Sequence, residues 1–119
     1  MPLPPDQLFR ALSDPTRLRC MALLWDEGQL CVCELTHALQ ASQPKVSRHL
    51  AQLREFKLVL DERRGQWVHY RLADDLPDWV RGVLEQAATA CRSETSPWRH
   101  DRERLHAMPH RPEIPCCTP

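Results

Sequence analysis

Three features of this sequence predict a mainly α fold with a small β-hairpin, a winged helix-turn-helix. Apolar residues recur at helical spacing in four short segments ahead of residue 56. The period then changes: "KLVLDERRGQWVHYRL" is β-branched and aromatic around Arg64-Gly65, the pattern of a hairpin with glycine at its turn. A longer helical stripe starts at Leu76. The 119 residues suffice for one domain with one modest core.

The helices are read from their caps. Asp6 caps a first helix showing Leu8, Phe9 and Leu12. Asp14 followed by Pro15 is an N-cap with proline at the first helical position. Leu18, Met21, Ala22 and Trp25 then form an amphipathic stripe that Gly28 ends. A third helix runs from Val32 to about Gln40, with Leu35, Ala38 and Leu39 inward. Ser42 caps a fourth, aided by Pro44 in its first turn. There Val46, Leu50 and Leu53 point inward, while Gln43, Lys45, Ser47, Arg48 and Gln52 do not. Beyond the hairpin, Asp75 and Pro77 open a longer helix with Leu76, Val80, Val83, Leu84, Ala87 and Cys91 along one side. Ser96-Pro97 interrupts it, and another short helix follows to about Ala107. The end, "MPHRPEIPCCTP", has four prolines in twelve residues and little to bury. The expected organisation is therefore a DNA-binding and dimerisation domain over 1–95 and a flexible, Pro- and Cys-containing extension over 96–119.

The net charge is zero but unevenly spread. Residues 43–71 carry seven basic and three acidic side chains, a stripe of +4 between two flanks of −2 each. Such a stripe suits phosphate. The fourth helix is the candidate recognition helix. Its N-terminal end offers Gln43, Lys45, Ser47 and Arg48, with His49 beside them, to base edges in a major groove. Arg63 and Arg64 at the hairpin tip suit phosphate or the minor groove. The stripe Leu76, Val80, Val83, Leu84 and Ala87 is more than one small core can cover. It predicts a homodimer whose two recognition helices read half-sites about 34 Å apart on double-stranded DNA.

No apolar run approaches the ~18 residues of a membrane span, and "MPLPPDQLFR" lacks the form of a secretory signal. A cytoplasmic protein with no membrane partner is expected, its six cysteines held as thiols. Cys20 and Cys91 fit core positions. Cys31 and Cys33 stand at a helix entry, where thiolates would select soft ions. Within a regular helix they would point about 200° apart, so sharing one ion requires a loosened first turn. With only three glycines and no oxyanion-type turn, no catalytic constellation is assembled and an enzyme is not expected.

The segments "ALSDPTRLRCMALL", "LCVCEL", "SQPKVSRHLAQLRE" and "RRGQWVHYRL" together resemble the arsenic-responsive repressors of the ArsR/SmtB family, from about Phe9 to Cys91. The resemblance implies a homodimeric repressor that needs no cofactor to bind a palindromic operator. Arsenite or antimonite then binds thiolates at the start of the third helix and releases the DNA. Cys31 and Cys33 match two family thiols; the position of the third is Thr36 here. The third As(III) ligand is then a solvent hydroxide, a small cellular thiol, or Cys116 or Cys117 from the tail. Cadmium/lead sensors of the family share the C-x-C but add a cysteine from an N-terminal arm, and Met1–Arg19 has none. Zinc sensors use histidine-containing pairs on the last dimer helix, and Leu76–Cys91 has no histidine. The alternatives are a cadmium/lead-responsive repressor and a thiol redox switch. A C-x-C disulfide closes a tight, strained and easily reduced ring, which counts against the redox switch.

Overall fold

The computed structural model describes residues 3–109. Six helices and three strands follow in the order α1 (Pro5–Leu12), α2 (Pro15–Glu27), β1 (Gln29–Cys31), α3 (Val32–Leu39), α4 (Gln43–Glu55), β2 (Val59–Arg64), β3 (Trp67–Leu72), α5 (Asp78–Arg92) and α6 (Asp101–His106). Local chemistry sets most boundaries. The Asp14 carboxylate accepts from the Thr16 and Arg17 amides at 2.9 and 3.1 Å, and Pro15 opens α2 behind it. Gly28, at φ 88°, closes the helix. Ser42 caps α4 by accepting from the Lys45 amide. α1 differs from its sequence reading: Pro4 is its N-cap, and Asp6 lies inside the first turn, where its charge suits the helix dipole.

The hairpin forms as predicted, with Arg64 opposite Trp67 and Gly65 at φ 62° as the first of two turn residues. The sequence shows two strands; the sheet has three, ordered β1-β3-β2. β1 is only three residues long, too short for a period-2 signal. It pairs antiparallel with β3 through Gln29–Arg71, Leu30–Tyr70 and Cys31–His69. Leu30 thereby enters the core with Leu8, Met21, Leu24, Leu35, Leu50, Leu53 and Leu84.

Two further readings are corrected. Val80 and Leu84 are fully covered by the chain's own core, against which α5 packs along α2. Neither has surface left for a second copy, because one face of α5 is spent within the chain. Residues 96–109 are also not a flexible extension. α6 packs on α3, burying Leu105 and Met108, and the Arg19 guanidinium forks onto both Asp101 oxygens at 2.8 Å. Charge pairing to distant residues holds this segment, not an apolar periodicity of its own. The tail with Cys116 and Cys117 lies outside the described residues.

Candidate DNA-reading face and thiol pair

α3 and α4 meet through a turn in which Gln40 takes the left-handed conformation (φ 52°, ψ 45°). That turn and the Ser42 cap aim the N-terminal end of α4 outward. Lys45 and Arg48 are exposed, and Gln43 and Ser47 are half-buried. The helix end adds its own partial positive charge to these donors. Behind them, Val46, Leu50 and Leu53 are buried and fix the helix on the core. At the hairpin tip Arg63 and Arg64 are both exposed. Arg64 donates to Glu62 at 3.0 Å, a hydrogen bond that holds the Glu62 carboxyl below its usual range.

His49 does not belong to this face. Only 8% exposed, it sits with Nδ1 3.0 Å from Gln52 Oε1 and 3.7 Å from Asp14. Its position in the helix, three residues after Val46 and one before Leu50, turns it toward α2. Arg17 organises the contact and carries no motif of its own. It donates to Gln52 Oε1 at 2.8 Å and to the Ala11 carbonyl at 2.8 Å, and its Nη1 lies 3.4 Å from the His49 ring nitrogen. Arg17, His49 and Gln52 thus tie the recognition helix to α2, and Gln52 too is engaged inward. Only the capping sequence around Asp14 hinted at this junction.

The two cysteines converge by a route the helix period does not show. Cys31 is not helical: it ends β1 and is the N-cap of α3, with extended backbone (φ −85°, ψ 163°). Cys33 lies in the first turn. The two Cα atoms are 5.5 Å apart and the sulfurs are paired as a disulfide. Glu34, itself buried, accepts from the Cys31 amide at 2.9 Å and completes a capping box. Among the described residues, no group of three His, Cys, Asp or Glu side chains is arranged to hold a metal ion. Cys20 and Cys91 are buried, unbridged thiols, as their pattern predicts. Burial pushes Cys20 up to about 12 and raises Cys91, so both stay protonated and poorly nucleophilic near neutrality.

At the edge of the core, Trp79 of α5 is 40% exposed, Leu76 ahead of the helix and Val83 within it are half-buried against the core, Ala87 is half-buried, and Phe9 on α1 is 57% exposed.

A basic helix end at the head of a helix-turn-helix, with an arginine-tipped hairpin beside it, defines a winged-helix DNA-binding regulator. The family model "Bacterial regulatory protein, arsR family" matches residues 14–59. The chain is 50% identical over 113 residues to the arsenic resistance transcriptional regulator ArsR1 of Pseudomonas putida, covering 95% of this chain and 86% of that protein. It is 46% identical over 104 residues to the arsenical resistance operon repressor of Escherichia coli, covering 87% and 80%. Among solved structures, reduced HlyU from Vibrio cholerae superposes with a TM-score of 0.63 at 32% identity, over 71% of this chain and 85% of that one. The AntR antimony-specific transcriptional repressor does so with a TM-score of 0.59 at 31% identity, over 70% and 72%. The chain belongs to the ArsR family of transcriptional regulators, DNA-binding proteins rather than enzymes. Among the described residues no helix is long and apolar enough to cross a membrane.

Proposed function

We propose that this protein is an arsenite- and antimonite-responsive repressor. It binds a palindromic operator without ligand and leaves it when As(III) or Sb(III) binds the Cys31 and Cys33 thiolates. The observation that carries this is the position of Cys31, which is at once the N-cap of α3 and the β1 residue paired with His69 of the wing. A ligand on this pair pulls on the supports of both proposed DNA-contacting elements: α3, on which α4 packs, and β3, which carries the wing. Two converging sulfurs suit a thiophilic ion once a cellular thiol has reduced the disulfide. The names of the relatives point to the same inducers. A coupling of about 1–3 kcal/mol between the two sites would suffice to switch occupancy, and operator DNA must weaken arsenite binding by the same factor.

The protein acts as a homodimer through the half-exposed apolar surface of Leu76, ahead of α5, and of Trp79, Val83 and Ala87 on it, joined by Phe9. This face replaces Val80 and Leu84, which the core consumes. In the dimer Gln43, Lys45, Ser47 and Arg48 reach bases and nearby phosphates, and Arg63 and Arg64 reach backbone.

The test is a titration of the reduced protein on a palindromic duplex selected from a random pool, with arsenite, antimonite, cadmium and zinc. Arsenite and antimonite are expected to release the DNA. Cys31→Ser and Cys33→Ser proteins should bind it and not respond, and Cys116→Ser/Cys117→Ser should respond normally. Release by cadmium alone would replace the proposal with a cadmium sensor. The disulfide supports a second reading, in which oxidation of the same pair is the signal. Release by peroxide, with arsenite inert on the reduced protein, would establish it.

A further inference from the structure

Among the described residues, one side-chain polar atom is buried with no hydrogen-bond partner: Oγ1 of Thr36. A threonine inside a helix ordinarily returns its hydroxyl to a carbonyl three or four residues back. This one does not, and neither cysteine sulfur serves as its partner. A buried hydroxyl without a partner is costly, so this one is free to take a partner that arrives later. Thr36 follows Cys33 by three residues in α3, the spacing that places two side chains on one helix face. Cys31 reaches the same place from the N-cap, through its pairing with Cys33.

We propose that Thr36 is the positioning residue for a hydroxide retained on As(III) when Cys31 and Cys33 bind it. The assignment rests on the metalloid reading of that pair. Once two equivalents of a small cellular thiol have reduced the Cys31–Cys33 disulfide, leaving as their own disulfide, arsenous acid, As(OH)₃, meets two thiols. Two As–O bonds break and two As–S bonds form. The two thiol protons leave with the two displaced hydroxides as two waters, and no electron is transferred. One hydroxide remains on arsenic. It donates and accepts, as a threonine hydroxyl does, so each satisfies the other. A third sulfur, from a small thiol or from Cys116 or Cys117, offers Thr36 a much poorer partner. The site therefore takes an inorganic As(III) with two sulfurs and one oxygen.

The experiment titrates the reduced full chain and its Thr36→Val, Thr36→Ser and Thr36→Cys variants with arsenite and with phenylarsonous acid. In the second compound the third arsenic substituent is carbon, so no hydroxide remains once two thiols have bound. Thr36→Val is expected to weaken arsenite about tenfold, the size of one hydrogen bond, and to leave phenylarsonous acid unchanged. Thr36→Ser should behave as wild type. X-ray absorption at arsenic should count two sulfurs and one oxygen in the wild type and three sulfurs in Thr36→Cys. The free Thr36→Val protein should unfold no more easily than wild type, since it loses no hydrogen bond. Equal weakening of both arsenicals, unchanged arsenite binding in Thr36→Val, or three sulfurs in the wild type would each overturn the assignment while leaving the metalloid site standing. If the wild type binds neither arsenical, the site itself falls and this inference with it.

Discussion

The two ends of α3 are held by different kinds of chemistry. At the N-terminal end the side-chain ties are short in sequence: Cys33 lies two residues from Cys31, and the buried Glu34 carboxylate caps the Cys31 amide at 2.9 Å, while the backbone pairing of Cys31 with His69 is the long-range tie there. At the C-terminal end the ties are long. Arg19 donates to the Leu39 carbonyl at 3.1 Å and Arg104 to the Ala38 carbonyl at 2.8 Å. Asp101 joins both guanidinium groups, at 2.8 and 2.6 Å. One end carries soft, exchangeable chemistry. The other has its terminal carbonyls pinned by two cations from α2 and α6. On the proposed function, a ligand at the sulfurs would act on the less constrained end, with the pinned end as the pivot, so that movement would be directed toward β1 and the wing.

The comparison is broken most severely at Asp101. Replacing it with alanine leaves Arg19 and Arg104 without their shared counter-charge in a mostly buried setting. The expected loss of stability is on the order of 3 kcal/mol, read from urea unfolding. Asp101→Asn should retain part of it. With the pivot loosened, arsenite should still bind but should release DNA less completely, a split visible when binding and release are measured on one sample. Full release from Asp101→Ala would show that α6 plays no part in transmission.

A smaller effect is expected at the other end. Glu34→Ala removes the carboxylate that caps Cys31 and should cost about 1 kcal/mol, whereas Glu34→Gln keeps an acceptor and should cost less. If the N-terminal end is the one that yields, Glu34→Ala should also raise the rate at which arsenite reaches the buried sulfurs. Stopped-flow mixing of the reduced protein with arsenite measures this directly, and an unchanged rate would locate the opening elsewhere.

What the sequence revealed of these ends follows from reach. Asp14-Pro15, Ser42 with Pro44, Gly28 and Arg64-Gly65 each set structure within a few residues of themselves, so the helices and the wing were legible, with the exposed Lys45 and Arg48. The C-x-C was legible as two neighbouring cysteines but not as a geometry. Cys31 leaves the helix because Leu30 and Tyr70, forty residues apart, pair in a strand too short to see. His49 looked like a DNA contact because nothing local announces Arg17, 32 residues away. The clamp on α3 was hidden for the same reason: Arg19 and Asp101 are 82 residues apart and nothing local to either announces the pairing. Val80 and Val83 shared one apolar stripe in the sequence, and only the packing of α2 decides which faces the chain and which faces outward.

The smallest expected effect concerns an outer prop of α6. Glu27, on α2, accepts from Arg102 at 2.7 Å and lies 3.0 Å from His106. Burial pushes its carboxyl upward, but the hydrogen bonds and charges of Arg102 and His106 outweigh this and hold it below its ordinary value of 4.5. A carboxylate depressed in the folded state stabilises the fold fully above its unfolded value and loses that contribution as pH falls through the folded one. The wild type should therefore lose stability relative to Glu27→Gln as pH is lowered from about 5 through the acid range. Because Arg102 is partly exposed, the difference should not exceed about 1 kcal/mol. Asp14 and Glu62 are depressed as well, so only the difference between wild type and Glu27→Gln, measured by thermal unfolding at matched pH, isolates this prop. If that difference does not change with pH, the Glu27 carboxylate adds nothing to the hold that Leu105, Met108 and the Arg19–Asp101–Arg104 cluster have on α6.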